Sequence, residues 1–288
     1  LKSTIINFEK RFINTVGTYL IKGTEFTNQV IDDALSVGYR LFDTAENYRN
    51  EEFLGLAFKK SFAKYNLTRK DIFITSKFEP SIEYKTEDDY LRIVNESLRK
   101  LQTDYLDLML IHWPGIEGLP DNSTDVLKYR HEAWKALSKF KEQGLIKSIG
   151  VSNFIIRHLE DLKTVSDVVP AVNQVEFHPL CYDLELLDYC RRNGILLQAY
   201  SSLGTSGISS LRNHETVMKI AQDLNRSSSQ VLLRWANVRD IAIIPKSSSR
   251  KHLLENINLD FDIPNEVMQE LDSLWTNERF DLDPNDVI

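Results

Sequence analysis

Short apolar runs recur along the chain at regular intervals, and longer amphipathic stretches separate them. Runs of four to six residues that are rich in β-branched and aromatic side chains are typical of strands that are buried on both faces. These runs predict eight strands, at residues 14–19, 39–42, 72–75, 106–111, 148–151, 171–175, 195–199 and 241–244.

The stretches between the runs have the polar and apolar spacing of helices. They predict helices at residues 28–36, 50–64, 87–101, 125–143, 156–164, 183–192 and 214–238. We expect the last stretch to form two helices, because polar residues interrupt it at 225–229. Three predicted helices end beside a glycine, namely Gly38, Gly144 or Gly194, just before the next strand. A glycine in the left-handed conformation is a common end for a helix.

Alternating strands and helices favour a parallel sheet. No repeat, linker or low-complexity tract divides the 288 residues, so we expect residues 1–288 to form a single domain. Eight β/α units in one chain predict a (β/α)8 TIM barrel of class α/β. A doubly wound sheet is the alternative, but the glycine-rich turn Gly-x-Gly-x-x-Gly that often follows its first strand is absent.

Composition and charge exclude some classes of function. The hydrophobic share of 42% is ordinary for a globular protein, and the formal net charge of −7 argues against a general nucleic-acid surface. No apolar run approaches the roughly 20 residues that a membrane span needs, so we expect no membrane partner. Only two cysteines occur, Cys181 and Cys190, and we expect free thiols in a cytoplasmic protein.

Chemically active side chains follow three consecutive predicted strands. Asp43, Lys77 and His112 stand at or just beyond the ends of the runs at 39–42, 72–75 and 106–111. Tyr48 lies five residues beyond Asp43, in the loop before the next helix. In a barrel, the carboxyl ends of the strands share one rim, where active sites are built. The spacing therefore predicts that the four side chains meet.

These four residue types suit proton delivery to a carbonyl oxygen. A phenol has a pKa near 10, so Tyr48 needs a neighbour that favours its ionised form. The ammonium group of Lys77 would supply that field, and Asp43 would keep Lys77 charged and in position. A structural ion pair is the other reading of Lys77 and Asp43, and a buried histidine of the core is the other reading of His112.

Seven segments of the chain resemble motifs of the aldo-keto reductases, in the same order. The match runs from about residue 17 to residue 256, and the segments begin at Asp43, Thr75, Leu110, Gly150, Asn173, Gln198 and Ile244. The resemblance implies an NADPH-dependent oxidoreductase that reduces aldehydes or ketones on a TIM barrel. It also implies a small-molecule carbonyl substrate, a monomer, no metal, an N-terminal β-hairpin and extra C-terminal helices and loops.

The resemblance extends to the residues that would hold the cofactor. It implies that Tyr200 stacks on the nicotinamide and that Ser152, Asn153 and Gln174 bond its carboxamide. Further contacts are implied for Gly17, Thr18, Ser201, Leu203 and Gly204, the last three near the pyrophosphate. Beyond the eighth strand, residues suited to the phosphate and adenine of NADPH are Lys246, Ser247, Ser248, Arg250, His252, Glu255 and Asn256.

Three departures from the family pattern bear on specificity. NADPH-preferring members usually carry arginine where this chain has His252, which offers no guanidinium fork; NADH thus stays possible, with Arg250 as a substitute. The opening segment lacks the usual Asn-Gly hairpin turn, and the tail at residues 280–288 is short and acidic. We expect Tyr19, Phe78, Trp113 and Phe154 to line an apolar substrate pocket.

Two other functions remain open from the sequence. The same barrel serves as a potassium-channel β-subunit and as a lens crystallin, so a non-catalytic or dual-role NADP(H)-binding protein is one alternative. A barrel lyase or aldolase that uses Lys77 as a Schiff base is another. Asp43 argues against the lyase, because a charged lysine is a poor nucleophile.

Overall fold

Eight strands in the described part of the chain form one parallel sheet in sequence order. The structure, a computed structural model, describes residues 15–204 and 211–288. The strands are β1 Thr15–Gly17, β2 Leu41–Asp43, β3 Phe73–Phe78, β4 Leu106–Ile111, β5 Ile146–Ser152, β6 Val172–Glu176, β7 Leu196–Tyr200 and β8 Ala242–Ile243. Each of them overlaps one of the eight predicted runs.

Every strand pairs in parallel with the next, and the two ends of the sheet come together. The register carries Gly17 opposite Asp43, Asp43 opposite Thr75, and Phe78 opposite Ile111. Gly17 N donates to Pro245 O at 3.2 Å, so the first strand meets the segment that follows the last one. The predicted (β/α)8 barrel is confirmed, and the carboxyl ends of all eight strands face the same rim.

Helices alternate with the strands and cover the outside of the barrel. They are α1 Thr24–Ser36, α2 Glu51–Tyr65, α3 Glu87–Leu101, α4 Asp125–Glu142, α5 Ile156–Lys163, α6 Leu184–Arg192, α7 Glu215–Asp223, α8 Ser228–Asn237, α9 Arg250–Ile257 and α10 Asn265–Asp272. The last two were not among the predicted helices, although extra C-terminal helices were expected from the family resemblance.

Local signals explain where several helices end and begin. Gly38, Gly144 and Gly194 have φ values of 104°, 81° and 71°, so each takes the left-handed conformation that was predicted beyond its helix. The predicted stretch at 214–238 is two helices, α7 and α8. Ser227 caps α8 in a reciprocal capping box with Gln230, which starts a new helix after the polar interruption.

Alternation along the strands separates the barrel interior from the layer between strands and helices. In β3, Lys77 reaches Asp43 inside the barrel, whereas Ser76 bonds Glu51 of α2 outside it. Phe78, the next residue on the outward face, packs its ring against Tyr90 of α3 at 5.9 Å. Successive side chains of a strand point to opposite faces. The large apolar core therefore lies between sheet and helices, and polar groups gather inside at the rim.

The predicted N-terminal hairpin falls within residues 1–14, outside the described residues. Across residues 15–204 and 211–288, no helix combines the length and the apolar character that a bilayer crossing would require. Cys181 and Cys190 are both buried free thiols, as predicted for their redox state.

Candidate active site

Four predicted side chains meet at the carboxyl-terminal rim. Asp43 is the last residue of β2, Lys77 lies near the end of β3, and His112 directly follows β4. Tyr48 ends a short 3-10 turn, Glu46–Tyr48, in the loop after β2. The parallel register brings these ends side by side, and the turn brings the tyrosine back over them.

A buried ion pair lies at the centre of this cluster. Lys77 Nζ lies 2.6 Å from Asp43 Oδ1, and it also donates to Thr44 O at 2.9 Å. Both charged side chains are almost fully buried, with 0% and 2% of their surface exposed. Lys77 Nζ lies 3.4 Å from Tyr48 OH, so one ammonium group links the carboxylate to the phenol.

Lys77 stays charged in this environment. Burial acts to lower its pKa, but Asp43 and Tyr48 act in the opposite direction, and the pKa of Lys77 lies above its ordinary value. Burial raises the pKa of Tyr48, whereas the charge of Lys77 lowers it, and the balance lies above the ordinary value of 10.0. The expected direction of the Lys77 effect is confirmed. Burial outweighs it, so Tyr48 keeps its proton at neutral pH.

His112 lies against Tyr48 and is held through its backbone. The two rings meet edge to face with 5.7 Å between their centroids. His112 N donates to Phe78 O at 2.8 Å, and Asn153 Nδ2 donates to His112 O at 3.0 Å. Burial, and then the charge of Lys77, lower the pKa of His112 to about 3. The imidazole is therefore neutral at physiological pH.

A polar framework centred on Asn50, which was not among the predicted site residues, holds the loop after β2. Asn50 Nδ2 donates to Thr18 O at 2.8 Å and to Ile21 O at 3.1 Å. Thr44 Oγ1 donates to Asn50 Oδ1 at 2.6 Å, and Thr18 N donates to Asp43 O at 3.0 Å. Asn50 belongs to the motif that contains Asp43 and Tyr48, which is the signal that could have identified it.

The residues predicted to hold a carboxamide also meet at the rim. Tyr200 OH donates to Asn153 Oδ1 at 2.8 Å, and Asn153 Nδ2 lies 3.2 Å from Ser152 Oγ. Gln174 Nε2 donates to Gln198 Oε1 at 2.8 Å, and Gln198 Nε2 is buried without a hydrogen-bond partner in the described part of the chain. These groups offer the paired donors and acceptors that an amide requires.

The segment after β7 turns sharply. Ser201 and Gly204 have φ values of 51° and 73°, and Leu203 is half-buried between them. A Cβ atom at Gly204 would approach Leu211 N to 2.9 Å, so this position has no room for a side chain. The next residues, 205–210, lie outside the described chain.

The segment after β8 combines exposed cations with a helix start. Lys246, Ser248, Arg250 and His252 are exposed, and Ser247 and Asn256 are buried. Lys246 forms no ion pair with any described residue. No side chain caps the amino end of α9, which leaves its first N–H groups available to an anion.

Buried polar groups near this segment have open bonding capacity. Asn256 Oδ1 is buried and has no hydrogen-bond partner among the residues that the structure describes, and Glu255 is half-buried beside it.

Gly17 and Thr18 support the barrel itself: Gly17 N bonds Pro245 O, and Thr18 Oγ1 donates to Asp43 O at 2.8 Å.

Two of the four predicted substrate contacts reach the open side of the rim. Tyr19 is 56% exposed and packs on Tyr48 with 5.0 Å between ring centroids, and Trp113 is half-buried directly after His112. Phe78 and Phe154 are instead buried, at 2% and 0% exposure. The structure does not bring these two to the open pocket, because Phe78 packs outward on α3 and Phe154 packs against His158 of α5.

Comparison with known proteins decides the family. The aldo/keto reductase family model matches residues 15–276, which include both the barrel and the four rim residues. The chain belongs to the aldo/keto reductase family.

Relatives of this aldo/keto reductase cover nearly its whole length. A glyoxal reductase of Bacillus subtilis is 38% identical over 275 residues, with 95% of this chain and 92% of that protein covered. Aldose reductase B of Dictyostelium discoideum is 38% identical, with 92% and 89% covered. The crystal structure of a Bombyx mori aldo-keto reductase in complex with NADP superposes with a TM-score of 0.82 at 30% identity, with 93% and 90% of the two chains covered.

Proposed function

We propose that this aldo/keto reductase reduces aldehydes or ketones to alcohols with NADPH, and that Tyr48 is the general acid. The alcohol product makes it an oxidoreductase of the class that acts on CH–OH groups, EC 1.1.1.-. The observation that carries the proposal is the position of Lys77 Nζ, 2.6 Å from Asp43 Oδ1 and 3.4 Å from Tyr48 OH at the rim of the barrel. The names of its relatives, glyoxal reductase and aldose reductase, support the same reaction.

Each of the four residues has a distinct part in the reduction. Tyr48 donates its phenolic proton to the carbonyl oxygen as the alcohol forms. Lys77 stabilises the tyrosinate that remains, and Asp43 keeps the ammonium group in place. His112, neutral and beside Tyr48, orients the carbonyl group. Tyr19 and Trp113 form the apolar wall on the open side.

The residues around the rim suit a nicotinamide dinucleotide. NADPH, when bound, supplies the hydride that reaches the carbonyl carbon. Ser152, Asn153 and Gln174 would hold the carboxamide beside the ring of Tyr200. The unpartnered Oδ1 of Asn256 suits the amino group of an adenine, with Glu255 next to it.

The phosphate groups would lie along the loops after β7 and β8. The tight turn at Ser201, Leu203 and Gly204 would lie beside the pyrophosphate. The 2′-phosphate would be bound by Lys246, which has no ion-pair partner in the described chain. Ser247, Ser248, Arg250, His252 and the uncapped start of α9 would provide its remaining donors. NADH would lose only the 2′-phosphate contacts, so it remains a possible second cofactor.

Two other functions are less well supported. A lyase that forms a Schiff base needs a neutral lysine, whereas Asp43 and Tyr48 keep Lys77 charged. A purely non-catalytic NADP(H)-binding protein would not need the complete group of Asp43, Tyr48, Lys77 and His112. We further infer a single domain over residues 1–288, a monomer, and a cytoplasmic location; the buried free thiols support the last.

A direct assay tests the proposed function. The purified protein is mixed with NADPH and an aldehyde, either glyoxal or an aromatic aldehyde, and the loss of the reduced nicotinamide absorbance is followed. We expect turnover that depends on the aldehyde. If NADPH binds but no aldehyde or ketone of a broad panel is reduced, the protein is a binding protein and the proposal fails.

A further inference from the structure

Glu79 lies beside His112 and was not among the residues that the sequence indicated. Phe78 pairs with Ile111 in the register of β3 and β4, so the next residues, Glu79 and His112, leave the two strands side by side. Glu79 Oε1 lies 3.5 Å from His112 Nδ1. The carboxyl group is held on its other side by Asn47, whose Nδ2 donates to the same Oε1 at 2.7 Å.

The imidazole of His112 needs a partner at this nitrogen. Nδ1 is buried and has no hydrogen bond to any described residue, and its distance of 3.5 Å from Glu79 Oε1 exceeds the usual hydrogen-bond range of about 2.7–3.2 Å. A buried polar atom without a partner is costly, and hydrogen bonds of catalytic groups often shorten only when substrate binds. A small movement of the Glu79 carboxyl group would complete the bond.

The state of Nδ1 decides what Nε2 can do. A neutral imidazole carries one ring proton. When Nδ1 carries it, Nε2 can only accept a hydrogen bond; when Nε2 carries it, Nε2 donates and Nδ1 accepts. A carbonyl oxygen accepts hydrogen bonds and never donates them. His112 can therefore orient a carbonyl group only when Nε2 carries the proton and Nδ1 accepts one from elsewhere.

We propose that Glu79 is a positioning residue for His112: its carboxylic acid donates to His112 Nδ1 and so keeps the imidazole proton on Nε2, toward the carbonyl. This inference rests on the proposed function. The acid O–H of Glu79 donates to the imidazole while the same oxygen accepts from Asn47, which matches the two contacts of Oε1. When Glu79 ionises, its carboxylate accepts from Nδ1–H, and Nε2 becomes an acceptor that no longer binds a carbonyl.

The electrostatic environment favours the neutral pair of acid and imidazole. Partial burial raises the pKa of Glu79, whose side chain is 41% exposed. The nearby carboxylates of Glu117 and Asp281 raise it further, whereas the hydrogen bond from Asn47 lowers it. Burial and the charge of Lys77 lower the pKa of His112. Both pKa shifts disfavour the charged pair, in which a Glu79 carboxylate would face a His112 imidazolium.

The charged and titratable groups around the pair lie on four segments. Lys77 on β3 and Tyr48 after β2 face His112, and Glu46, Glu117 and Asp281 face Glu79 from the loops after β2 and β4 and from the C-terminal segment. Lys77 is held charged by its partners, and Tyr48 titrates above 10. Glu79 is thus the group of the pair whose pKa is shifted upward toward neutral pH, so its ionisation is the event that is expected to change the pair.

Nitrogen NMR of the histidine side chains tests the proposal without any turnover. The protein is labelled with ¹⁵N, loaded with NADP⁺, and titrated between about pH 5 and about pH 9; His112 is assigned by comparison with His112→Asn. We expect the His112 proton to move from Nε2 to Nδ1 as the pH rises, because ionised Glu79 accepts from Nδ1. Glu79→Ala should show no such transfer, and Glu117→Gln, which changes a neighbouring carboxylate that does not contact His112, should retain it.

Steady-state kinetics provide the second readout. In the unmodified protein, kcat/KM for aldehyde reduction should fall about tenfold as the pH rises through the same midpoint. Glu79→Ala should lose this step and become flat over that range, and Asn47→Ala should shift the midpoint, because it removes a donor to the Glu79 carboxyl group. The proposal is overturned if the His112 proton transfer or the fall in kcat/KM persists in Glu79→Ala. It is also overturned if either is absent from the unmodified protein. Lack of aldehyde reduction by every form would instead count against the proposed function, since the NMR titration needs no reaction.

Discussion

Gln174 Nε2 donates to Asp43 Oδ2 at 2.8 Å, and these two residues lie 131 positions apart in the chain. The other carboxylate oxygen, Oδ1, is the partner of Lys77. Both oxygens of a buried carboxylate are therefore satisfied, one by an ammonium and one by an amide. The bond joins the group around Tyr48 to the residues proposed to hold the carboxamide of the cofactor, so binding and proton delivery share one polar network.

Replacing Gln174 should affect both stability and catalysis. Gln174→Leu leaves Asp43 Oδ2 buried without its donor, and the loss of a partner to a buried charged group costs about 1.5–3 kcal/mol. We expect a lower free energy of unfolding in urea and weaker NADPH binding. Gln143→Leu, at an exposed helix end, should stay within about 0.5 kcal/mol of the unmodified protein. Equal stabilities of the two variants would contradict the role given to this bond.

Replacing Tyr48 with phenylalanine removes the proposed acid and keeps the ring. Carbonyl reduction should fall by about two to four orders of magnitude, the usual contribution of general acid–base catalysis, while NADPH affinity changes little. Turnover of an aldehyde and fluorescence quenching of the cofactor measure the two quantities. Tyr19→Phe, in the ring that packs on Tyr48, is the matched control and should stay near normal. Near-normal turnover in Tyr48→Phe would rule out the proposed acid.

Replacing Lys77 with methionine should change the pH dependence of the reaction. Burial already holds the pKa of Tyr48 above 10.0, and Lys77 acts against that shift. Without the ammonium charge the pKa of Tyr48 rises further, so reduction should be slower and its alkaline decline should move to higher pH or disappear. A rate profile from neutral pH to the alkaline limit of stability measures this. If Lys77→Met is slower but its rate declines at the same alkaline pH as in the unmodified protein, the role of Lys77 is structural only.

The exposed cations after β8 should distinguish NADPH from NADH. A charge-assisted hydrogen bond contributes roughly 1.5–3 kcal/mol, so Lys246→Met should weaken NADPH binding about tenfold to about a hundredfold and leave NADH nearly unchanged. His252→Arg should tighten NADPH, because arginine binds phosphate through two parallel donors. Titration of both cofactors by fluorescence quenching measures these effects.

Arg250 gives the alternative for the same phosphate. Its Nε lies 3.2 Å from Ser36 Oγ, and the side chain is otherwise exposed. If Arg250 already binds the phosphate, His252→Arg will change little and Arg250→Ala will weaken NADPH instead. Equal losses of NADPH and NADH in Lys246→Met would mean that this segment does not recognise the 2′-phosphate.

Close packing of α2 against the end of α3 leaves no room for a side chain at Gly55. A Cβ atom there would lie 2.3 Å from Lys100 O, which is part of the helix backbone. Gly55→Ala should therefore lower stability by about 1–3 kcal/mol, the usual cost of overpacking. Thermal unfolding measures the effect, and Leu56→Ala, at the 43% exposed neighbour, should cost less. A more stable Gly55→Ala would show that the two helices separate easily.

The repeated pattern of apolar runs and helical stretches was sufficient to predict the barrel. β4 at Leu106–Ile111 and α3 at Glu87–Leu101 have the predicted ends, because dense apolar spacing and nearby polar caps determine them locally. β8 has only two residues, Ala242–Ile243, within the predicted run 241–244. Pairing with neighbours sets the length of such short strands, and the residue pattern does not encode that pairing.

The sequence by itself determined which chemistry gathers at the rim. Asp43, Lys77 and His112 each lie at or near the end of a strand. The carboxyl ends of parallel strands lie at the same rim of a barrel, whatever the details of side-chain packing. It could not determine which way Phe78 and Phe154 point: the pleat of β3 turns Phe78 out toward α3, and Phe154 comes after β5 and enters the layer covered by α5.

Nor could the sequence reveal Glu79 as the neighbour of His112. The two residues are 33 positions apart in the chain, and only the pairing of Phe78 with Ile111 brings their side chains to 3.5 Å. Residue order determines which side chain stands at the end of each strand. Contacts between strands depend instead on register, which forms only in the folded barrel.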